Sequence, residues 1–144
     1  MLQPDLKHSI RHATEEVLET MFFSTLLDDE GMEASTPLVS SRLGFCGTPS
    51  GSFQVDVSTE AAEILAADFL GGEEMESSDP VGQVVCELAN ILCGSILSRT
   101  GSETVFQLSS PVRTVESAGD WSIHESFALP GGSLTVNMQI QEAP

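Results

Sequence analysis

A chain of 144 residues with 40% hydrophobic content is long enough for one domain, residues 1–144, with a true core; a domain near this size buries roughly 68–70% of its unfolded surface. Its formal net charge is −17, from 22 acidic and 5 basic residues, and Lys and Arg are absent between Arg42 and Arg99. That balance excludes a basic nucleic-acid footprint and adhesion to anionic membranes, while the apolar content excludes a disordered acidic tail.

The start, Met1-Leu2-Gln3-Pro4-Asp5, lacks the features of a signal peptide. No apolar run reads as long enough to span a bilayer, so a cytoplasmic protein is expected. Three cysteines, Cys46, Cys86 and Cys93, fit free thiols of a reducing compartment; the close Cys-x-x-Cys spacing of a metal site is absent.

Residues 4 to about 27 read as an amphipathic helix, with Leu6, Ile10, Ala13, Val17, Met21 and Phe22 recurring at spacings of three and four. His8, His12 and Glu16 line one flank of it. A metal stripe is conceivable there, but a solvated face is the plainer reading. Asp28-Asp29-Glu30-Gly31 ends the helix. Strands follow at 38–46 and 52–58, joined by Gly47-Thr48-Pro49-Ser50-Gly51. Phe53, Val55 and Val57 alternate with Gln54 and Asp56, the pattern of a half-buried strand.

Ser58 or Thr59 caps a helix over 60–70 that stops at Gly71-Gly72. Glu73-Glu74-Met75-Glu76-Ser77-Ser78-Asp79 reads as a charged loop. The next helix, Pro80 to Arg99, starts with Asp79 as cap and Pro80 at the first helical position, and Gly101 lies just past its end. Strands are expected near 103–109, 121–129 and 133–141, with a linking loop at 110–120 and a turn at Pro130-Gly131-Gly132. Trp121 and Phe127 read as core or interface aromatics. The order is helix, two strands, two helices, three strands: an α+β fold, an antiparallel sheet covered by helices.

Wound at about 100° per residue, the helix over 80–99 is apolar or small on most of its circumference. One narrow polar stripe remains: Gln83, Glu87, Asn90, Gly94 and Ser98. The plain account of this stripe is the solvated face of a core helix. Two details argue for more. Asn disfavours helix interiors because its amide competes for backbone hydrogen bonds, and Gly94 leaves the neighbouring surface bare. Ser-His-Asp, phosphate-loop and activated-cysteine cues are all missing, which suits a protein that completes another protein's active site.

Glu87-Leu88-Ala89-Asn90 in a small acidic chain resembles the motif of the CheX/CheC/FliY phosphatases of bacterial chemotaxis. The opening helix, with Glu16-Val17-Leu18-Glu19-Thr20-Met21-Phe22-Phe23, looks like the first helix of CheX-like domains, and the order of elements fits the CheC/CheX-like fold. The family usually has Asp or Ser four residues before the Glu, where this chain has Gln83, and a Pro about twenty residues after the Asn, to which Pro111 corresponds approximately. Glu-x-x-Asn can occur here only once, because Asn occurs only at 90 and 137; the single copy resembles CheX rather than the two-motif CheC.

The resemblance implies a phosphatase for the phosphoaspartate of a CheY-like response regulator, with Glu87 and Asn90 as catalytic residues. Asn90 is implied to orient the attacking water, and Glu87 to pair with the receiver's Lys. It implies a homodimer, no cofactor or metal on this chain, and a Mg²⁺ supplied by the partner receiver. Nucleic acid and membrane are not expected partners. A second reading of the same residues stays open: a non-catalytic module of this fold that docks to a receiver or another signalling partner.

Overall fold

The computed structural model describes residues 5–22, 38–47, 50–71, 79–99, 106–114 and 121–141. In chain order the elements are α1 (Asp5–Met21), β1 (Leu38–Cys46), β2 (Ser50–Ser58), α2 (Thr59–Leu70), α3 (Pro80–Ser98), β3 (Gln107–Leu108), β4 (Val112–Thr114), β5 (Ile123–Leu129) and β6 (Gly132–Gln141). The strands form one antiparallel sheet in the order β3-β1-β2-β6-β5, with β4 also pairing β1. This is the expected α+β fold. The ends of the first predicted helix, the acidic loop at 73–78 and Gly101 lie outside the described residues.

One face of the sheet carries the core. Val39, Leu43 and Phe45 on β1, Phe53, Val55 and Val57 on β2, and Leu134, Val136 and Met138 on β6 are buried together with Phe127 and Leu129 of β5. The helices bring Ile10, Ala13, Val17, Leu18 and Phe22 from α1, Ala61, Ala62, Leu65 and Ala66 from α2, and most of α3. Phe22 stacks on Phe69 of α2, with ring centroids 4.9 Å apart. Met21, expected on the apolar face of α1, is instead exposed.

The turns follow their chemistry. Leu129 pairs with Gly132, so Pro130 and Gly131 make a two-residue connection. Pro fixes φ of the first, and Gly131 takes the second at φ 89°, where a side chain would be strained and would also strike Ile64 of α2. Gly71 ends α2 in the left-handed conformation, at φ 59°. Ser58 precedes α2, but its hydroxyl does not cap the helix; it accepts from the Ser133 amide of β6 at 3.0 Å.

Two further expectations are corrected. Val112–Thr114, expected within the loop at 110–120, form β4. Phe45 pairs with Leu108 and Arg42 with Val112, so two β1 residues, Leu43 and Gly44, face three, Ser109, Ser110 and Pro111. That is a bulge, anchored by the Ser109 amide donating to the Gly44 carbonyl at 2.9 Å. Pro111 has no N–H to give a ladder and is placed where none is needed.

The second correction concerns Gln54 and Asp56, which read as the solvent side of a half-buried strand. Both are buried, as are Ser40, Thr135 and Asn137 on the same outer face. The Asp56 carboxylate accepts from Ser40 Oγ at 2.7 Å, Gln54 Nε2 at 2.8 Å and Asn137 Nδ2 at 2.7 Å. Asn137 Oδ1 in turn lies 2.6 Å from His124 Nδ1; a carbonyl oxygen only accepts, so that nitrogen carries the proton. The ladder runs across β1, β2, β6 and β5. Trp121 lies over the same face, with the Arg42 guanidinium 5.2 Å from its ring centroid.

A buried carboxylate is tolerated only when its oxygens are satisfied. Removing it strands three donors, each costing about 1–3 kcal/mol if left unpaired. Asp56→Ala is therefore expected to lower the unfolding free energy by at least about 2 kcal/mol in urea titration; a loss below about 0.5 kcal/mol, the range of ordinary surface changes, would contradict the ladder's structural role.

Candidate functional site

α3 begins as its sequence directs. The Asp79 side chain accepts from the Gly82 amide at 3.2 Å, and Pro80 occupies the first turn. Gly82, Val84, Val85, Leu88, Ala89, Leu92, Cys93, Ile96 and Leu97 are buried. By length and composition this helix is apolar enough to cross a membrane, contrary to the expectation that no such run exists. Its apolar residues are part of the core beneath β1, α1 and α2.

Gln83, Glu87, Asn90 and Ser98 are exposed and Gly94 is half-buried, so the predicted stripe is the stripe observed. Glu87 and Asn90 stand three residues apart, where side chains on a helix are neighbours, about 5–6 Å between Cβ atoms. Among the described residues neither side chain has a hydrogen bond or an ion pair. An interior Asn costs up to about 0.7 kcal/mol of helix propensity relative to Ala, and here nothing within the described fold returns it. A structural Asn tying helix to sheet would be buried and bonded; Asn90 is neither.

The edge strands wall one side of the stripe. Leu108 of β3 lies against Gly94, 3.9 Å from where a Cβ would stand. At the start of the helix, on its buried side about 100° round from Gln83, the Arg113 side chain lies on Gly82, its Cδ 2.7 Å from where a Cβ would stand. Pro111 sits between them, on the bulge. Arg113 pairs with Asp79, and at the other end of the helix Arg99 pairs with Glu16 of α1. Sequence reading missed Arg113 because it lay in a stretch taken as loop; the β-prone Val-Arg-Thr triplet after Pro111 was the available signal.

The other singled-out residues stand apart from this stripe. Glu16 is engaged by Arg99, and the His8 and His12 rings meet edge to face at 4.3 Å. Among the described residues no group of three or more His, Cys, Asp or Glu is placed to hold a metal ion. Cys46 is exposed, Cys86 is half-buried and accepts from Ser41 Oγ at 3.2 Å, and Cys93 is buried. Burial pushes the Cys93 thiol up to about 12, leaving it unreactive at neutral pH.

An antiparallel sheet with three helices packed on one face is the α+β fold of CheC/CheX-like domains. The family model for chemotaxis phosphatase CheX matches residues 39–126, well over half of the chain, and the chain belongs to that family. The structure is similar to chemotaxis protein CheX from Desulfovibrio desulfuricans (20% identity, TM-score 0.74, covering 95% of this chain and 99% of that one). It is similar to CheX from Vibrio vulnificus (19%, 0.70, 95% and 97%). It also resembles a chain of the CheX–CheY–BeF₃–Mg²⁺ complex from Borrelia burgdorferi (23%, 0.66, 97% and 100%). At these identities the likeness is one of fold. No curated protein matches the chain.

Proposed function

We propose that this protein dephosphorylates the phosphoaspartate of a CheY-like receiver domain, in the cytoplasm. The observation that carries the reading is Asn90: exposed, inside a helix, without a partner among the described residues, and one turn from an equally unpartnered Glu87. Membership of the CheX family supports it, and so does the fold it shares with the CheX of the Borrelia burgdorferi complex with CheY.

Phosphoryl transfer asks the enzyme mainly for positioning and charge stabilisation. A carboxamide accepts a hydrogen bond from water through its oxygen and donates to a phosphoryl oxygen through its nitrogen. Asn90 does both: the water oxygen bonds to phosphorus, the acyl phosphate P–O bond breaks, the receiver's aspartate leaves as carboxylate, and inorganic phosphate is released. Glu87 pairs with the receiver's Lys and fixes the approach of the two proteins. A Mg²⁺ held by the receiver would neutralise phosphoryl charge there; among the described residues of this chain no group of three or more His, Cys, Asp or Glu is placed to hold a metal ion.

The active form is a homodimer. β5 is the terminal strand of the sheet, with one neighbour, β6, among the described residues, whereas the opposite edge carries the bulge and Pro111. Edges of that second kind resist pairing, so the β5 edge is where a second copy adds. Light scattering at micromolar concentration is expected to return close to twice 15.3 kDa; the monomer mass would remove the dimer.

The direct test adds the protein to purified, phosphorylated CheY-like receivers and follows phosphate release. Acceleration for at least one receiver is expected; binding without acceleration would favour the non-catalytic module. Because Glu87 works as a charge, Glu87→Gln is expected to lose nearly as much turnover as Glu87→Ala, by roughly 10-fold or more at low salt. Wild-type turnover for Glu87→Gln across a salt series would rule out the ion pair.

A further inference from the structure

We infer that Gly94 is a positioning residue of the docking stripe: its missing side chain keeps α3 bare beside Asn90, so that a receiver can close onto the helix there. The inference rests on the receiver-phosphatase reading and adds to it a residue with no functional group of its own.

Gly94 is an unfavourable choice that the described fold does not require. It lies inside α3, one turn before the helix ends at Ser98. Glycine is the poorest helix former apart from proline, because it loses the most backbone freedom on folding. Two structural reasons can justify it. One is a left-handed φ, as at Gly71 and Gly131; Gly94 has ordinary helical backbone. The other is a close approach that leaves no room for a side chain. Gly82 of the same helix has that reason, since a Cβ there would stand 2.1 Å from Asp79 Oδ2. At Gly94 the nearest described atom to such a Cβ is Leu108 Cδ1, at 3.9 Å, an ordinary van der Waals contact. A methyl group fits.

What sets Gly94 apart is its place on the stripe. At 100° and about 1.5 Å per residue, it lies about 6 Å along α3 from Asn90, at an azimuth between Asn90 and Glu87. Residues four apart are neighbours on a helix surface. The Cα–Cβ bonds of a helix also tilt toward its N-terminus, so a side chain at 94 would lean back over the turn that carries Asn90. Asn90 is exposed and short, with its amide directly on Cβ, and the phosphoryl group it serves is bonded to a side chain of another protein. To hold a water against that phosphorus, it needs the receiver close to the backbone of α3. A side chain leaning over it from 94 would meet the receiver first and hold the two proteins apart. Fitted surfaces tolerate such additions poorly, because an extra methyl or methylene forces one side to move.

The test is steady-state dephosphorylation of a CheY-like receiver phosphorylated with acetyl phosphate, by wild type, Gly94→Ala, Gly94→Gln and Ala67→Gln, with melting temperatures on the same preparations. Stability and activity are expected to move in opposite directions. Gly94→Ala is expected to raise the melting temperature by roughly 2–4 °C, as the better helix residue, and to lower kcat/KM about 10-fold. Gly94→Gln, also a good helix former, is expected to melt no lower than wild type and to lose roughly 100-fold or more in kcat/KM. Ala67 is an exposed position of α2, and Ala67→Gln is expected to leave kcat/KM near wild type. Wild-type kcat/KM for both Gly94 variants would overturn the inference alone and leave the functional reading standing. So would a lower melting temperature that tracks the lost activity, since that is what a glycine required by the fold predicts. Equal losses for Gly94→Gln and Ala67→Gln would overturn it as well. A wild-type protein inactive on every receiver would instead fail the functional reading, and the inference with it.

Discussion

Burial of α3 along one broad side is the constraint from which the rest of the structure follows. Val84, Val85, Leu88, Leu92, Ile96 and Leu97 need apolar neighbours around most of the helix, and each such side chain contributes about 1.5–3 kcal/mol when buried. One face of the sheet with α1 and α2 supplies them. What this packing cannot cover is a strip about one residue wide, and everything on it is available to a partner. Gln83, Glu87 and Asn90 are thus displayed on a helix whose other residues are anchored in the core. A site built this way keeps its geometry without hydrogen bonds of its own, which suits groups reserved for another protein's reaction.

The outer face of the sheet supports this from behind. The Asp56 ladder joins four strands through Ser40, Asn137 and His124. A strand slipped by one residue would turn these polar groups into the core and the apolar set outward, so the ladder holds β1 in register. β1 carries both β3 and β4, which bring Leu108 and Arg113 against α3. Register on one face therefore sets the wall of the stripe on the other. The bulge at Ser109–Pro111 lets two short strands follow one edge while Pro111, without an N–H, keeps that edge from recruiting another strand.

The helix and its stripe were legible because a period near 3.6 over nineteen residues leaves little ambiguity, and Asp79-Pro80 marks the start by chemistry. The long strands and the Pro130-Gly131 turn were legible for similar reasons. β4 was not: three residues carry no period, and what holds them is pairing with Arg42, Ser41 and Ser40, distant in the chain. The burial of Gln54 and Asp56 was not legible either. Alternation reports that the two faces of a strand differ in polarity, and is silent on whether the polar face meets water or other polar groups. Glu87 and Asn90 could be read because they share one helix, while the contact of Arg113 with the start of that helix arises from sheet topology. The membrane criterion fails in the opposite direction, since a helix buried by protein has the composition of one buried by lipid.

The central claim is that Asn90 serves a partner and not the fold. It is tested most directly by measuring thermal unfolding and receiver dephosphorylation on a single preparation of Asn90→Ala. The account predicts a melting temperature equal to wild type or slightly higher, since Ala is the better helix residue by up to about 0.7 kcal/mol, together with a fall of roughly 10²–10³ in rate, the scale for losing one group that positions or stabilises the reacting atoms. A lowered melting temperature, or full activity at unchanged stability, would contradict it.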